Sequence, residues 1–367
     1  MSKKNQIILV TGGAGYIGSV LVRELLKEGY SVRVFDTLYF GKKALSEIES
    51  EIELIQGDVR DFPVEALKEV SAVIHLGSLS NDPTAEFDPK SNHEINCEGT
   101  VRVAEACKKA GVRRMTLASS AAVYGFHVDG IADEAFRTNP QSEYAKSKLE
   151  AEKELLKLAS GSFCPVILRQ ATVFGLSERM RWDLVVNTMT KDAFSKNKIS
   201  VFCEGENWRP LVSAHDIARA HIKCVEAPET RVSGEAFNLV YENLMILELA
   251  GLMKGYLDKK QKIDVEMLTG QKESRSYRIS GEKLKKVLGF EPKIGIGDAV
   301  NEIYGALQQG RFTDFSNPIY YNIEWMKLLA EKKTPHPFNS PALLASMRRG
   351  PADRPLHEME RGVQRTR

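Results

Sequence analysis

A tyrosine and a lysine four residues apart are the side chains of this sequence best suited to proton transfer. Tyr144 and Lys148 lie in a stretch that predicts a helix from about Ser142 to Ala159, so the two residues share one helix face. An ammonium group close to a phenol stabilises the phenolate and lowers a phenol pKa that is ordinarily about 10. The pair therefore predicts a group that transfers protons near neutral pH.

The same tyrosine and lysine spacing occurs twice more, beginning at Tyr39 and at Tyr256, so the spacing alone is weak evidence. Tyr144 differs because the small-residue segment 118–125 precedes it and follows a predicted buried strand. Ser120 in that segment is expected at the carboxyl edge of the predicted sheet, where it can donate a hydrogen bond near Tyr144. The sequence therefore favours a Ser120–Tyr144 pair.

Three glycines, Gly12, Gly15 and Gly18, separate the first predicted strand from the first predicted helix. The first permits a tight turn, the second lets a pyrophosphate approach the backbone, and the third lets helix and strand pack closely. The helix N-terminus at Tyr16 and Ile17 then attracts the anion. A glycine-rich turn without a ligand is the alternative, and the motif alone does not exclude it.

Asp36 ends the second predicted strand, where a carboxylate accepts hydrogen bonds from an adenosine ribose and repels a 2′-phosphate. Arg33 lies too early in that strand to bind the phosphate, so the pattern favours NAD over NADP. Asp58 and Val59 follow the third predicted strand, where they can close over the adenine edge. The alternatives are an acidic residue that opens a loop, for Asp36, and a solvated acidic turn, for Asp58.

Alternating strands and helices bring these residues together. Strands are predicted at 7–11, 31–35, 72–76, 114–118 and 166–169, and helices at 16–27 and 101–110. This repetition predicts an α/β fold of the Rossmann type, in which a doubly wound parallel sheet carries helices on both faces. Ligands of such a sheet bind at the carboxyl ends of its strands.

After Gly175 the regular alternation of predicted strands and helices gives way to a mixture of helix, strand and loop, which predicts two domains. We expect 1–175 to form an NAD-binding domain and 176–330 to form a smaller, discontinuous α+β substrate domain. The segment 209–228 predicts a strand and a helix that return to the first domain. The proline-rich residues 331–367 predict a tail that adds nothing to the core, either disordered or added for expression.

The composition indicates an ordinary globular protein: the 367 residues are 43% hydrophobic and 27% charged, with a formal net charge of +2. The balanced charge disfavours nucleic acid or an anionic membrane as the main partner. No apolar run approaches the roughly 20 residues that span a bilayer. The five cysteines contain no C-x-x-C and the seven histidines are scattered, so we expect reduced thiols, a cytoplasmic location and no metal site.

Together the motifs resemble those of the extended short-chain dehydrogenase/reductase superfamily. The resemblance rests on the glycine loop, Asp36, His-Leu-Gly-Ser at 75–78, Asn96 with the following Gly-Thr, the Ser120 segment, and Tyr144 with Lys148. More narrowly, the chain from about residue 5 to residue 330 resembles the NAD-dependent epimerase/dehydratase family of nucleotide-sugar enzymes, whose best-known member is UDP-glucose 4-epimerase.

The resemblance implies a role for each matching position. Ser120, Tyr144 and Lys148 take the positions of the catalytic triad. The cofactor-binding pattern falls on Gly12, Gly15, Tyr16, Ile17, Gly18, Asp36, Asp58, Val59, Leu76, Asn96, Tyr144 and Lys148. The nucleotide-sugar pattern falls on Asn81, Ser120, Thr172, Arg181, Arg209 and Arg278. Arginines suit a diphosphate because the guanidinium group binds phosphate oxygens in a planar, bidentate manner, although each arginine taken singly can equally be a surface charge.

Two departures from the family pattern bear on the reaction. Family dehydratases place an acid after the catalytic serine or threonine, because loss of water needs an acid and a base beyond the tyrosine. This chain has Ala121 and Ala122 there, which disfavours dehydration and decarboxylation. Thr172 stands where the 4-epimerases have asparagine, and residues 80–83 differ from the galactose epimerases, so the resemblance does not imply glucose-to-galactose specificity.

We therefore expect a nucleotide-sugar epimerase that uses NAD, acts at C4 through a keto-sugar and regenerates its cofactor in each cycle. The expected partner is a nucleotide-diphosphate sugar, with UDP as the favoured nucleotide, and the family implies a homodimer. An NAD(P)H-dependent reductase of 4-keto nucleotide sugars uses the same residues and stays open as an alternative. A non-catalytic dinucleotide sensor is a third alternative, although relatives of that kind usually lack the tyrosine.

Overall fold

The structure, a computed structural model, describes residues 3–126, 130–202, 205–268 and 276–331. The described residues up to Lys327 belong to one compact unit. The predicted tail, 331–367, lies outside the described residues except for Glu331. Within the described ranges, no helix is both long enough and apolar enough to cross a membrane.

Strands and α-helices alternate through the first half of the chain. The strands are β1 (Ile7–Thr11), β2 (Ser31–Asp36), β3 (Ile52–Gln56), β4 (Val70–His75), β5 (Arg114–Ser120), β6 (Cys164–Gln170), β7 (Thr172–Phe174), β8 (Lys198–Phe202), β9 (Trp208–Ser213), β10 (Glu235–Leu239), β11 (Glu242–Met245) and β12 (Asp264–Leu268). The α-helices are α1 (Tyr16–Lys27), α2 (Asp82–Phe87), α3 (Pro89–His93), α4 (Gly99–Ala110), α5 (Glu143–Lys157), α6 (Val185–Lys196), α7 (Ala214–Glu226), α8 (Glu229–Val232), α9 (Ile246–Leu257), α10 (Glu282–Leu288), α11 (Ile296–Gln308) and α12 (Asn322–Glu331).

A parallel sheet forms the centre of the molecule. In the described part of the chain it contains seven strands, in the order β3-β2-β1-β4-β5-β6-β10. β1 pairs with β2 on one side and with β4 on the other, so the strand order reverses at β1. In a doubly wound sheet the ligand crevice opens at this point, beyond the carboxyl ends of the strands. The Rossmann-type fold predicted from the sequence is confirmed.

The central strands are covered by helices on both faces. β6 is buried along its whole length, and β1 is buried from its second residue onward, as expected of parallel strands packed on both sides. Helix α1 contributes Val20, Leu21 and Leu25 to the core beside these strands, and α7 packs along α1. This packing fixes the strand ends from which the candidate site is built.

Shorter strands form a smaller second layer of structure. β7, β9 and β11 make one sheet and β8 pairs with β12, and α6, α9 and α11 pack their apolar side chains around them. The two elements within 209–228 lie in different places, because α7 packs against α1 whereas β9 pairs with β7 and β11. The edge strand of the main sheet is β10. The domain boundaries given above stay a prediction.

The cysteines that the structure describes pack in the interior of the fold. The four that the structure describes, Cys97, Cys107, Cys164 and Cys224, are unpaired and buried. Burial raises the pKa of each thiol above its ordinary value, which keeps the reactive thiolate scarce. These residues pack as small apolar groups and leave the chemistry to other side chains.

Candidate active site

The glycine loop between β1 and α1 is held in a shape that side chains would prevent. Gly12 has a φ of +71°, and a Cβ there would lie 2.8 Å from the backbone nitrogen of Gly77. A Cβ on Gly18 would overlap the carbonyl oxygen of Gly12. The loop therefore lies close to the end of β4 and directly against the first turn of α1, which is the close packing that the glycine spacing predicts.

The N-terminus of α1 is available to an anion. Gly15 occupies the position before the helix and offers no side chain to cap it, and the first turn contains no acidic residue. The first backbone N–H groups of a helix lack intrahelical acceptors and carry the positive end of the helix dipole. Gly15, Tyr16 and Ile17 line one pocket with this helix end, so a phosphate group fits there.

Asp36, the last residue of β2, lines the same pocket. Its carboxylate accepts hydrogen bonds from the backbone N–H groups of Ala14 at 2.9 Å and Leu38 at 2.7 Å. Burial raises the pKa of Asp36, and these two hydrogen bonds oppose the rise. Each carboxylate oxygen keeps a further lone pair, so Asp36 can accept the two hydroxyls of a ribose.

Most of the predicted cofactor residues meet in this one pocket. Its lining includes Gly12, Gly15, Tyr16, Ile17, Gly18, Asp36, Asp58, Val59, Leu76, Tyr144 and Lys148, together with Arg181 from the predicted substrate set. Asp58 is tied to Arg60, which donates to both of its carboxylate oxygens. The predicted residues that do not line the pocket are Asn81, Asn96, Ser120, Thr172, Arg209 and Arg278.

Asn96 holds the loop that follows β4. Its side chain is fully buried, accepts a hydrogen bond from the backbone N–H of Leu79 at 2.8 Å and donates to the Leu79 carbonyl at 3.0 Å. It also donates to Asn92 and Ser147. These contacts connect the pocket loop to α5, and a direct contact of Asn96 with a cofactor stays a prediction.

Ser120, Tyr144 and Lys148 come together at the carboxyl edge of the sheet. Ser120 ends β5, and its hydroxyl acts on the Tyr144 phenol as a hydrogen-bonding group that lowers the phenol pKa. Tyr144 lies in the first turn of α5, which Ser142 caps by accepting from the backbone N–H of Ala145. Lys148, one turn later, has its Nζ 5.9 Å from the centre of the Tyr144 ring. The helix predicted from about 142 to 159 is present as α5.

The protonation of the pair differs from the sequence expectation. Burial raises the pKa of Tyr144 to about 12, although the hydrogen bond with Ser120 opposes this rise. Burial also lowers the pKa of Lys148 to about 8, and its ammonium donates to the carbonyl of Ala118 at 3.0 Å. Desolvation is the largest cause of both shifts, because it disfavours the charged form of each group, and the expected lowering of the phenol pKa is not found.

A buried ion pair connects helix α5 to the central sheet. Glu152 is 1% exposed and binds the Arg169 guanidinium, with Nη2 at 2.8 Å from Oε2 and Nε at 3.1 Å from both oxygens. Glu152 also accepts from the Ser119 hydroxyl, and Arg169 donates to the Tyr124 hydroxyl. The network therefore connects α5 with β5 and β6 next to the Ser120 backbone.

The predicted substrate residues form two groups. Arg181 is paired in a bidentate manner with Asp183 at 2.8 Å, and Asn81 donates to the same carboxylate at 3.2 Å. Arg209 donates to the backbone of Trp208, and the Arg278 guanidinium lies 4.8 Å from the centre of the Trp208 ring. The Thr172 backbone is in register with Leu211 of β9, so Thr172 begins the strand beside the second group.

The last described helix, α12, contributes residues to the pocket that the sequence did not indicate. Asn322 and Met326 of α12 line it, and the Asn322 side chain donates to Ser80 at 2.9 Å. The Trp325 indole donates to the backbone carbonyl of Tyr39 at 2.7 Å, in the loop after β2. No sequence signal points to these contacts, because they depend only on how the chain returns to the first strands.

Three side chains of the kinds that bind metal ions lie close together outside this pocket. The ligand atoms of His93, Cys97 and Glu150 lie within 4.8 Å of one another. His93 and Glu150 are partly or fully exposed, and the His93 ring already pairs with Glu150 at 3.4 Å. Exposed groups of this kind occur without a metal, and none of the three lines the pocket.

Comparison with known proteins gives one family. The model of the family described as "NAD dependent epimerase/dehydratase family" matches residues 8–239. The chain is 29% identical over 312 residues to UDP-glucose 4-epimerase of Lactobacillus helveticus, covering 78% of this chain and 92% of that protein. It is 26% identical over 317 residues to UDP-glucuronic acid decarboxylase 1 of Danio rerio, covering 82% and 72%.

Among solved structures, the chain is similar to UDP-glucuronic acid 4-epimerase from Bacillus cereus in complex with UDP-glucuronic acid and NAD. The TM-score is 0.72 and the identity is 25%, covering 83% of this chain and 99% of that one. The relatives therefore include both epimerases and decarboxylases.

Proposed function

We propose, since the chain belongs to the NAD dependent epimerase/dehydratase family, that it is a nucleotide-sugar epimerase that inverts the configuration at C4 of the sugar. The family is NAD dependent, so the prediction of NAD as cofactor is confirmed. The proposal goes further than the family in choosing epimerisation over dehydration or decarboxylation. It depends on the side chains that surround the Ser120–Tyr144 hydrogen bond.

The two residues directly after Ser120 carry this choice. Ala121 and Ala122 are 0% and 3% exposed and contribute only methyl groups at the positions where a dehydratase needs an acid. Epimerisation at C4 needs one group that removes and returns a single hydroxyl proton. Tyr144, hydrogen-bonded to Ser120, supplies that group.

The pocket residues fit the dinucleotide. We assign the adenosine ribose to Asp36, the pyrophosphate to the backbone of Gly15 to Ile17, and the nicotinamide end to Tyr144 and Lys148. When bound, NAD supplies reversible two-electron oxidation of the sugar carbon. The glycine loop supports this assignment, because Gly15 has no side chain at the helix N-terminus, and side chains on Gly12 or Gly18 would collide with the backbone that holds the loop in this shape.

The protein residues handle the proton. Burial raises the pKa of Tyr144 to about 12, so the proposal requires Lys148 to stabilise the phenolate once the cofactor is bound. The phenolate then removes the proton from the sugar C4 hydroxyl, and the Ser120 hydroxyl donates a hydrogen bond to the same oxygen as the keto-sugar forms. The keto-sugar rotates while its diphosphate stays bound, so that C4 would be reduced again on its opposite face, and Tyr144 returns the proton to the C4 oxygen. Lys148 stabilises the phenolate and donates to the cofactor ribose. Arg209 and Arg278, with Arg181, Thr172 and Asn81, are our candidates for the nucleotide diphosphate, with UDP as the favoured nucleotide.

The test is to denature protein purified without added cofactor and to identify any released dinucleotide by mass spectrometry. The epimerase proposal expects about one NAD per chain, because the cofactor is regenerated in each cycle and has no need to leave. A panel of UDP-, GDP- and dTDP-sugars then identifies the substrate from the change of configuration. An empty site that binds NADPH reversibly, with net reduction of a 4-keto sugar, would replace the epimerase with the reductase.

Replacing Asp36 with asparagine is expected to relax the choice of cofactor. Asp36→Asn keeps the size of the side chain but removes the negative charge that repels a 2′-phosphate. We expect the ratio of NADP affinity to NAD affinity to rise roughly tenfold, measured by calorimetry on protein freed of cofactor. Asp61→Asn, which changes an exposed aspartate outside the pocket lining, is the control, and an unchanged ratio in Asp36→Asn would contradict the assignment.

Two broader expectations belong to the proposal. By analogy with the family we propose a homodimer, which light scattering on the purified protein measures directly. The buried, unpaired cysteines support a reducing compartment such as the cytoplasm.

A further inference from the structure

Arg179 is an arginine buried in the pocket, two residues before the predicted substrate residue Arg181. It is 7% exposed and lines the pocket together with Asp36 and the glycine loop. Its guanidinium lies 3.6 Å from the centre of the Phe40 ring, and Nη2 donates to Asn322 Oδ1 at 2.6 Å. A loop after β2 and helix α12 thus hold the side chain in one orientation.

The guanidinium has capacity left for a ligand. Its Nε is buried and has no hydrogen-bond partner among the described residues, whereas Arg181 spends Nε and Nη2 on Asp183. Burial and the nearby positive charge of Arg181 lower the pKa of Arg179 to about 9. A buried donor without an acceptor is costly, and an anion in the pocket would relieve that cost.

The surroundings of Arg179 indicate which anion fits. Its charge interacts with Tyr16 at the start of α1 and with Asp36 at the end of β2. Between these two points a dinucleotide has its pyrophosphate, because the ribose reaches the carboxylate and the phosphates reach the helix N-terminus. The Asp36 carboxylate repels a further phosphate on the ribose itself, which argues against a 2′-phosphate as the partner.

We propose that Arg179 binds the pyrophosphate of NAD, as a side-chain anchor in addition to the backbone N–H groups of the glycine loop. This inference rests on the proposed placement of NAD in the pocket and does not depend on the epimerase assignment. It separates Arg179 from Arg181, Arg209 and Arg278, which we assign to the substrate. The loop that carries Arg179 would therefore contact the bound cofactor directly.

The experiment is titration calorimetry on protein freed of dinucleotide, with ADP, adenosine, UDP and 2′,5′-ADP as probes. Arg179→Gln removes the charge and keeps a planar group that can donate to Asn322. We expect the affinity for ADP to fall about 10- to 100-fold, and the affinity for adenosine to change less than about twofold. The control is Arg311→Gln, which removes a partly exposed arginine paired with Glu178 and leaves both affinities unchanged.

The following results would overturn the inference. An equal loss for ADP and adenosine would mean that Arg179 only shapes the pocket. A loss confined to UDP would assign it to the substrate, and a loss confined to 2′,5′-ADP would assign it to a ribose phosphate. If Arg179→Gln does not fold, Arg179→Lys replaces it, and we expect its ADP affinity to be about three- to tenfold lower than that of wild type. If neither variant folds, Arg179 is a structural residue. Wild-type protein that binds neither ADP nor adenosine would instead refute the placement of NAD.

Discussion

The variant Tyr144→Phe is expected to lower kcat about 100- to 10,000-fold and to keep its NAD. The phenol is the group that we propose removes and returns the sugar proton, and general acid–base groups contribute rate factors of about this size. The ring itself stays in place, because the substitution removes only the hydroxyl that meets Ser120. The loss of kcat is measured with the substrate that the nucleotide-sugar panel identifies. Mass spectrometry of the released dinucleotide measures whether NAD is kept.

The chain supplies a matched control for this variant. Tyr256 has a lysine four residues later, as Tyr144 does, but it lies in α9 and does not line the pocket. Tyr256→Phe is expected to keep kcat within about twofold of wild type. A Tyr144→Phe enzyme with nearly normal turnover and bound NAD would show that another group moves the proton, and the proposed mechanism would then be wrong.

The variant Glu152→Ala is expected to reduce the free energy of unfolding by about 3–5 kcal/mol, because it leaves the Arg169 charge buried without its carboxylate. Urea denaturation followed by circular dichroism measures the loss. Glu154→Ala removes an exposed carboxylate of the same helix that pairs with Lys157, and it should cost less than about 0.5 kcal/mol.

Glu152 also affects the proposed catalytic residue Lys148 through its charge. Its negative charge raises the pKa of Lys148, against the lowering caused by burial. Removing the carboxylate should therefore shift the Lys148 pKa further below about 8 and move the pH profile of turnover with it. A loss of stability below about 1 kcal/mol with an unchanged pH profile would contradict both roles.

The sheet and the glycine loop could be predicted because local sequence determines them. β1 is a run of apolar residues that only a strand covered on both faces accommodates, and the glycine spacing matches one way of joining it to α1. Helix α5 was predictable from its period and its Ser142 cap. The family and the cofactor followed from these motifs together.

Tertiary contacts decided what the sequence could not predict. β9 has the pattern of a buried strand, but nothing in its residues says which sheet it joins, and β10 takes the edge position of the main sheet. The pKa of Tyr144 depends on burial that the Tyr144 and Lys148 spacing does not encode. Arg179 and Asn322 are 143 residues apart, and only the folded chain brings them to the same pocket.

The position of α12 in the wall of the pocket also has a consequence for synthesis of the protein. Asn322 and Met326 line a pocket whose first residues are those of the glycine loop. A ribosome must therefore translate almost the whole described chain, and release it beyond the exit tunnel, before the pocket wall is complete. We expect NAD to be captured at full affinity only once α12 has left the exit tunnel, and nascent chains that end before Asn322 to retain it poorly.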